Sequence, residues 1–252
     1  MISQKILGIE KANVSEIDEL VSRIADEIGR RMLERTSQDR NLVLGLATGN
    51  TPIPLYAELV RRHREEGLSF QNVVTFNLDE YEGLSPEHPK SYHSFMQEHL
   101  FNQVDIQPKN TFLPLGTYEK PFDGARSYQE KIKAHGGIDL QILGIGRDGH
   151  IGFNEPGSSN RTRTRRVILA NETREDAAPA FGGIQNVPTH AMTMGVGTIL
   201  EARRIILMAW GRGKRDIVAE AMSGNVSADV PATFLQDHLN TAWYLDGAAA
   251  SD

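Results

Sequence analysis

The chain contains no cysteine, which excludes disulfides, thiolate nucleophiles and thiolate metal sites together. No apolar run approaches the ~20 residues that a membrane-spanning helix needs. The opening stretch, MISQKILGIEKANVSEIDEL, lacks the charged-then-apolar layout of a secretory signal, so a cytoplasmic address is expected. Basic charge is not in excess: 27 Lys and Arg stand against 33 Asp and Glu, for a net charge of −6. That argues against general affinity for nucleic acid or for an anionic membrane, while leaving room for a local basic pocket that takes an anionic metabolite. Internal repeats, low-complexity segments and linkers are missing too, and the eight histidines show no HExxH or comparable ligand spacing. One domain over residues 1–252 is the simplest organisation, and 252 residues can bury a sizeable core.

Amphipathic stretches alternate with short apolar runs. Val14, Ile17, Leu20, Val21, Ile24, Ile28 and Met32 recur at helical spacing, with Ser15 available as a cap. Helices are expected over 52–66, 92–101, 124–135 and 214–222, and strands over 42–47, 73–77, 138–145, 191–196, 204–210 and 241–245. Strands that are apolar on both faces and separated by helices predict a three-layer α/β fold. Its mostly parallel central sheet would be covered by helices on both faces, a Rossmann-like open sheet. Trp210 and Trp243 fall in apolar strands and are expected to pack in the core.

In such sheets ligands gather where strand carboxyl ends lead into helix N-termini, and four of these ends are chemically unusual. In GLATGNTPIPLY (45–56), Thr48, Gly49, Asn50 and Thr51 form a small-residue loop before Pro52. The turn lacks the Gly-Lys-Ser/Thr of a Walker loop. It offers backbone N–H groups and a helix dipole to an anion, or it is an ordinary turn with Thr51 as helix cap. In VVTFNLDEYEGL (73–84), Asp79 and Glu80 directly follow an apolar strand. Partial desolvation there raises a carboxyl pKa and makes a usable base near neutrality; a solvated turn is the alternative.

The third end is LGIGRDGHIGFNEPG (143–157). It contains the letters of the dinucleotide fingerprint, but no helical period follows the last glycine, so that reading fails its own context. What remains is a Gly-rich loop carrying Asp148, His150 and Glu155. A carboxylate on one ring nitrogen of a histidine fixes its tautomer and raises its basicity, the arrangement for passing a proton to or from a sugar ring oxygen. The fourth is AWGRGKRDIV (209–218), which puts Lys214 in the first turn of a helix, where the dipole disfavours a cation. Some anion should compensate it: Asp216, or a phosphate shared with the Thr48–Thr51 loop. Two anion-binding turns, a base and a His–carboxylate group at one sheet edge suggest a phosphorylated sugar undergoing proton transfers.

Taken together, LGLATGNTP, VVTFNLDEYEGL, HPKSYHSFM, LGIGRDGHIGFNEPGSS, NRTRT, AMTMGVGTIL and the Lys214 turn resemble, nearly end to end, the isomerising glucosamine-6-phosphate deaminase family, which shares a superfamily with the 6-phosphogluconolactonases. The resemblance implies conversion of D-glucosamine 6-phosphate and water to D-fructose 6-phosphate and ammonia. Asp79 would move a proton between C2 and C1 through an enolamine-type intermediate. His150 would open the sugar ring, oriented and polarised by Asp148 and Glu155. Thr48, Gly49, Asn50, Thr51 and Lys214 would bind the phosphate, and Arg174 would be a second cation on a lid segment. No metal or organic cofactor is implied. The stretch NETREDAAPAFGGIQNVP (171–188), rich in Gly, Pro and charge, suits a mobile cover or a plain surface loop. Effector-activated hexamers of the family carry a Lys after NRTRT and a longer tail. Here Arg166, Val167 and Ile168 occupy that stretch and GAAASD follows the last strand, so a monomer or small homo-oligomer is expected. A galactosamine 6-phosphate deaminase, a 6-phosphogluconolactonase and a non-catalytic sugar-phosphate sensor are the competing readings.

Overall fold

The computed structural model describes residues 8–12, 17–117 and 120–250; Val14 and Ser15 of the expected first helix lie outside them. Strand β1 covers Gly8–Ala12, and the first helix, α1, runs over Ile17–Ser37. Next come β2 (Leu42–Leu46), α2 (Ile53–Glu66), β3 (Val73–Asn77) and β4 (Asp79–Tyr81). Helix α3 (Tyr92–His99), β5 (Thr111–Phe112), α4 (Pro121–Ala134) and β6 (Leu140–Leu143) follow. The second half comprises β7 (Arg165–Ile168), α5 (Asn171–Phe181), β8 (His190–Thr193) and α6 (Val196–Leu200). It ends with β9 (Ile205–Ala209), α7 (Arg215–Ala221) and β10 (Thr241–Asp246).

Seven strands form one sheet in the order β1-β10-β9-β6-β2-β3-β5, and every neighbouring pair is parallel. Alternate residues feed two separate cores. Leu42, Leu44 and Leu46 pack with Leu20 and Ile24 of α1, Leu55 and Leu59 of α2 and Met96 of α3. Val43, Val74, Phe76, Leu207 and Trp243 face Tyr128 and Ile132 of α4, Ile199 of α6 and Val218 of α7. At about 1.5–3 kcal/mol per fully buried large apolar side chain, these two layers are the main stabilising term. This is the expected three-layer α/β architecture, with helices on both faces.

The chain runs from β2 through β3 to β5 at one edge, then returns through β6, β9 and β10 toward the other. The direction of winding therefore reverses between β2 and β6, and a crevice opens at the carboxyl ends of such neighbours.

Three of the departures from the sequence expectation bear on the site. The strand expected over 191–196 is β8, which leaves the main sheet and pairs antiparallel with β4 and β7. One-sided burial explains why its partner β7 was not legible: Arg165 and Val167 are half-buried, whereas Arg166 and Ile168 are exposed. The expected cover loop over 171–188 contains an 11-residue helix, α5. Its apolar face is narrow, with Ala177, Ala178 and Phe181 resting on Tyr81, Phe153 and Leu169, so no long period betrays it. Finally, α2 begins after Pro52 without any side-chain cap, so Thr51 does not act as the cap.

Candidate active site

The four unusual strand ends belong to β2, β3, β6 and β9, which are consecutive neighbours β9-β6-β2-β3 at the centre of the sheet. Sequence-distant residues are thereby delivered to one edge. Beyond β3, the N–H of Leu78 donates to Leu46 O and the carbonyl of Leu78 accepts from Met194 N. The chain thus turns out of the large sheet into β4, where Asp79 lies opposite Thr193.

Asp79 is buried, with 5% exposure. Burial pushes its carboxyl up to about 8, the Glu80 charge adds to this, and His150 and the Phe153 N–H pull it down. Gly152 sits at φ +56, and a Cβ there would come within 3.2 Å of Asp79 Oδ2. The loop carrying His150 therefore lies directly against this carboxylate. Glu80 is buried as well and accepts the N–H groups of Tyr81, Tyr92 and His93, each at 2.9 Å. Burial moves it up to about 7 against these three amide donors. It fastens the start of α3 beside Asp79, and Ser91 caps the same helix by accepting from Ser94 N.

His150 follows β6 in a tight Gly-rich turn, in which Gly146 N–H donates to His150 O. A Cβ at Gly146 would lie 2.3 Å from the imidazole, so only a glycine leaves the ring its place. Nδ1 faces Asp148 Oδ1 at 2.7 Å and Glu155 Oε2 at 3.6 Å. The backbone N–H of His150 also donates to Asp148 Oδ1, at 3.2 Å, whereas Glu155 Oε2 is buried without a hydrogen-bond partner. Burial works against the imidazolium, yet Asp148 first and Glu155 second raise the His150 pKa above its ordinary value, with Lys214 opposing. Asp148 is held well below the carboxylate range: burial opposes this, and the His150 hydrogen bond and charge prevail. Burial lifts Glu155, which accepts from Thr173 Oγ1 and Ala170 N at the start of α5. One donor atom each from Asp148, His150 and Glu155 lies within 4.8 Å of the others. A divalent cation could use that spacing, but Nδ1 is already engaged by the two carboxylates.

Lys214 Nζ donates to Ile145 O at 2.7 Å. Burial lowers its pKa; Asp176 and Asp148 oppose this, and Arg147 reinforces it. The expected partner Asp216 is exposed and pairs with Arg215 instead. The Thr48–Thr51 turn connects β2 to α2. Trp210 Nε1 braces it by donating to Thr51 O at 2.9 Å, and the Thr48 side chain faces the hydroxyl of Tyr92. Trp243 is a core residue as expected, whereas Trp210 is half-buried and supports this turn.

Arg174 of α5 donates to Ile184 O and Val187 O; it ties the helix to the segment that follows. Arg147 is the cation that reaches from the His150 loop to α5, through Asp176 at 2.6 and 3.0 Å. Sequence reasoning named Glu80 beside Asp79 without its role as a clamp on α3, and passed over Arg147 and Trp210 as site residues, because each takes its role from a partner that sequence distance hides. A separate groove of about 380 Å³ between α2 and α3, lined by Ile53, Val60, Arg61, Glu98 and His99 among others, shares no residue with this cluster.

A buried base poised near neutrality, an imidazole between two carboxylates, and a desolvated lysine near an amide-rich turn can together hold an anionic sugar and move its protons. Residues 15–243 match the family model described as Glucosamine-6-phosphate isomerases/6-phosphogluconolactonase. The chain is 48% identical to the glucosamine-6-phosphate deaminase of Hahella chejuensis over 94% of this chain and 90% of that one. It is 46% identical to glucosamine-6-phosphate deaminase 1 of Giardia intestinalis over 90% and 86%. A solved structure of a monomeric glucosamine-6-phosphate deaminase superposes with a TM-score of 0.92 at 40% identity, covering 96% of this chain and 98% of that chain. The 6-phosphogluconolactonase of Thermotoga maritima, 19% identical over 95% and 99% with a TM-score of 0.73, shares the fold. The chain therefore belongs to the Glucosamine-6-phosphate isomerases/6-phosphogluconolactonase family.

Proposed function

We propose that the protein is an isomerising deaminase that converts D-glucosamine 6-phosphate and water to D-fructose 6-phosphate and ammonia. The observation that carries this reading is the placement of Asp79: a buried carboxyl with its pKa near 8, within electrostatic reach of His150. A lactonase, which hydrolyses an ester, has no use for an enolising base, and a sensor needs neither residue. Relatives 43–48% identical to this chain carry the deaminase name, which supports the same reading.

In this account the phosphate rests on Lys214 and the amide groups of Thr48, Gly49, Asn50 and Thr51, with Arg174 acting from α5. Binding energy from that remote group holds the reacting carbons over Asp79. His150 exchanges a proton with the ring oxygen and opens the pyranose, while Asp148 and Glu155 orient the imidazole and stabilise its charged form. Asp79 then takes the C2 proton and returns one at C1. Water adds at C2 and ammonia leaves. Every step is a proton transfer or an addition of water, so the reading calls for no metal and no organic cofactor. A single domain, a cytoplasmic address and a monomer or small homo-oligomer complete the proposal.

The test is an assay of ammonia release with D-glucosamine 6-phosphate, paired with enzymatic determination of fructose 6-phosphate. Equimolar production of both supports the reading. Absence of ammonia with glucosamine and galactosamine 6-phosphates alike defeats it, and activity confined to the galacto sugar redirects it to the epimer.

A further inference from the structure

We propose that Arg147 is a phosphate-binding residue and that Asp176 of α5 occupies its guanidinium until the phosphate arrives. The inference deepens the reading of the site as a sugar-phosphate site and rests on it. Arg147 stands two residues after Ile145, whose carbonyl holds Lys214 Nζ, and directly precedes Asp148. The two cations therefore meet at one short loop at the carboxyl end of β6, Arg147 as part of it and Lys214 reaching it from the turn after β9. Arg147 presents its fork to Asp176 in a two-point contact, Nη2–Oδ1 at 2.6 Å and Nε–Oδ2 at 3.0 Å. A phosphate oxygen pair accepts the same fork.

Both side chains are half open to solvent, Arg147 at 59% and Asp176 at 50%, so an incoming anion can reach them. Exposed ion pairs contribute little to stability, which leaves this one easy to exchange. A dianion on Lys214 makes the exchange favourable, because it brings more charge to the guanidinium than one carboxylate does. Lys214 already senses Asp176, Arg147 and Asp148 together, Asp176 most strongly, as expected of one charge cluster. Exchange frees Asp176 while Glu155 still holds the start of α5 through Ala170 and Thr173. Phosphate binding thus releases one tie between the site and this helix.

The experiment is calorimetric titration of inorganic phosphate into the intact protein and its variants at constant ionic strength, with each variant's fold checked by its thermal melt. Arg147→Gln weakens phosphate binding about tenfold or more, as expected for charge-assisted hydrogen bonds. Arg147→Lys, which keeps the charge but loses the fork, recovers part of it. Asp176→Asn tightens binding several-fold, because the competitor is gone, and the double variant behaves like Arg147→Gln. Unchanged binding in Arg147→Gln, or no tightening in Asp176→Asn, overturns the inference. If Lys214→Gln weakens binding and Arg147→Gln does not, the sugar-phosphate reading stands and only the role of Arg147 falls. If wild type binds no phosphate, both fall.

Discussion

Complete burial of an ionisable carboxyl favours its protonated form, and at Asp79 the adjacent Glu80 charge pushes the same way. A base must be ionised to act, so kcat/KM should rise with pH through a limb near 8. Replacing His150 by Gln removes a cation that lowers the Asp79 pKa, and the limb should move to higher pH in a pH–rate series. The same shift bears on stability. An unfolded Asp titrates near ~3.9, so below that value both states are protonated and burial of Asp79 carries no charge penalty. As pH rises from there to about 8, the unfolded chain loses its proton while the folded one keeps it, and stability falls. Asp79→Asn is exempt from that loss. Calorimetric melts should show the variant more stable than wild type at the alkaline end, by ~2–4 °C for each kcal/mol relieved, with the gap closing as pH falls. A gap independent of pH would mean that Asp79 is not the titrating group.

Helix α3 shows how an element is fixed by a residue outside it. Its first amides end on Glu80, and a buried donor left without a partner costs about 1–3 kcal/mol. Glu80→Ala should therefore lose about 3 kcal/mol or more in urea unfolding, and Glu80→Gln, which keeps one acceptor oxygen, should lose less. The sequence could not show this clamp, because it joins residues 80 and 92–93 across a turn. Elements with two-sided burial were legible: β2, β3, β9 and β10 fell within a residue or two of their observed bounds, since a continuous apolar run permits little else. Those with one narrow apolar face, β7 and α5, were not. Asp79, His150 and Lys214 stood out as candidates because chemistry-bearing residues directly after buried strands are unusual. Arg147 and Trp210 stayed hidden because their partners, Asp176 and Thr51, lie 29 and 159 residues away.

Across the whole molecule, charge at the two ends of the sheet serves opposite purposes. At the amino ends of the strands Asp139, 3% exposed, pairs with Arg35 and Arg203 and accepts the N–H of Val43. Removing one partner of such a buried network costs about 3–5 kcal/mol, so Asp139→Ala should lose that much in denaturant unfolding, while kcat/KM of the remaining folded enzyme stays as in wild type. At the carboxyl ends the order reverses: Asp79→Asn gains stability and loses turnover. The most direct measurement of the central claim, that one buried carboxyl beside His150 carries the C2 proton to C1, is turnover of D-glucosamine 6-phosphate in D₂O by wild type and Asp79→Asn. Ammonia and the deuterium at C1 of the fructose 6-phosphate are followed together by NMR. The account predicts ammonia with deuterium at C1 for wild type and, for the variant, unimpaired phosphate binding with both signals reduced ~10²–10⁴-fold. A variant that releases ammonia at near wild-type rate, with C1 labelled as in wild type, would contradict it.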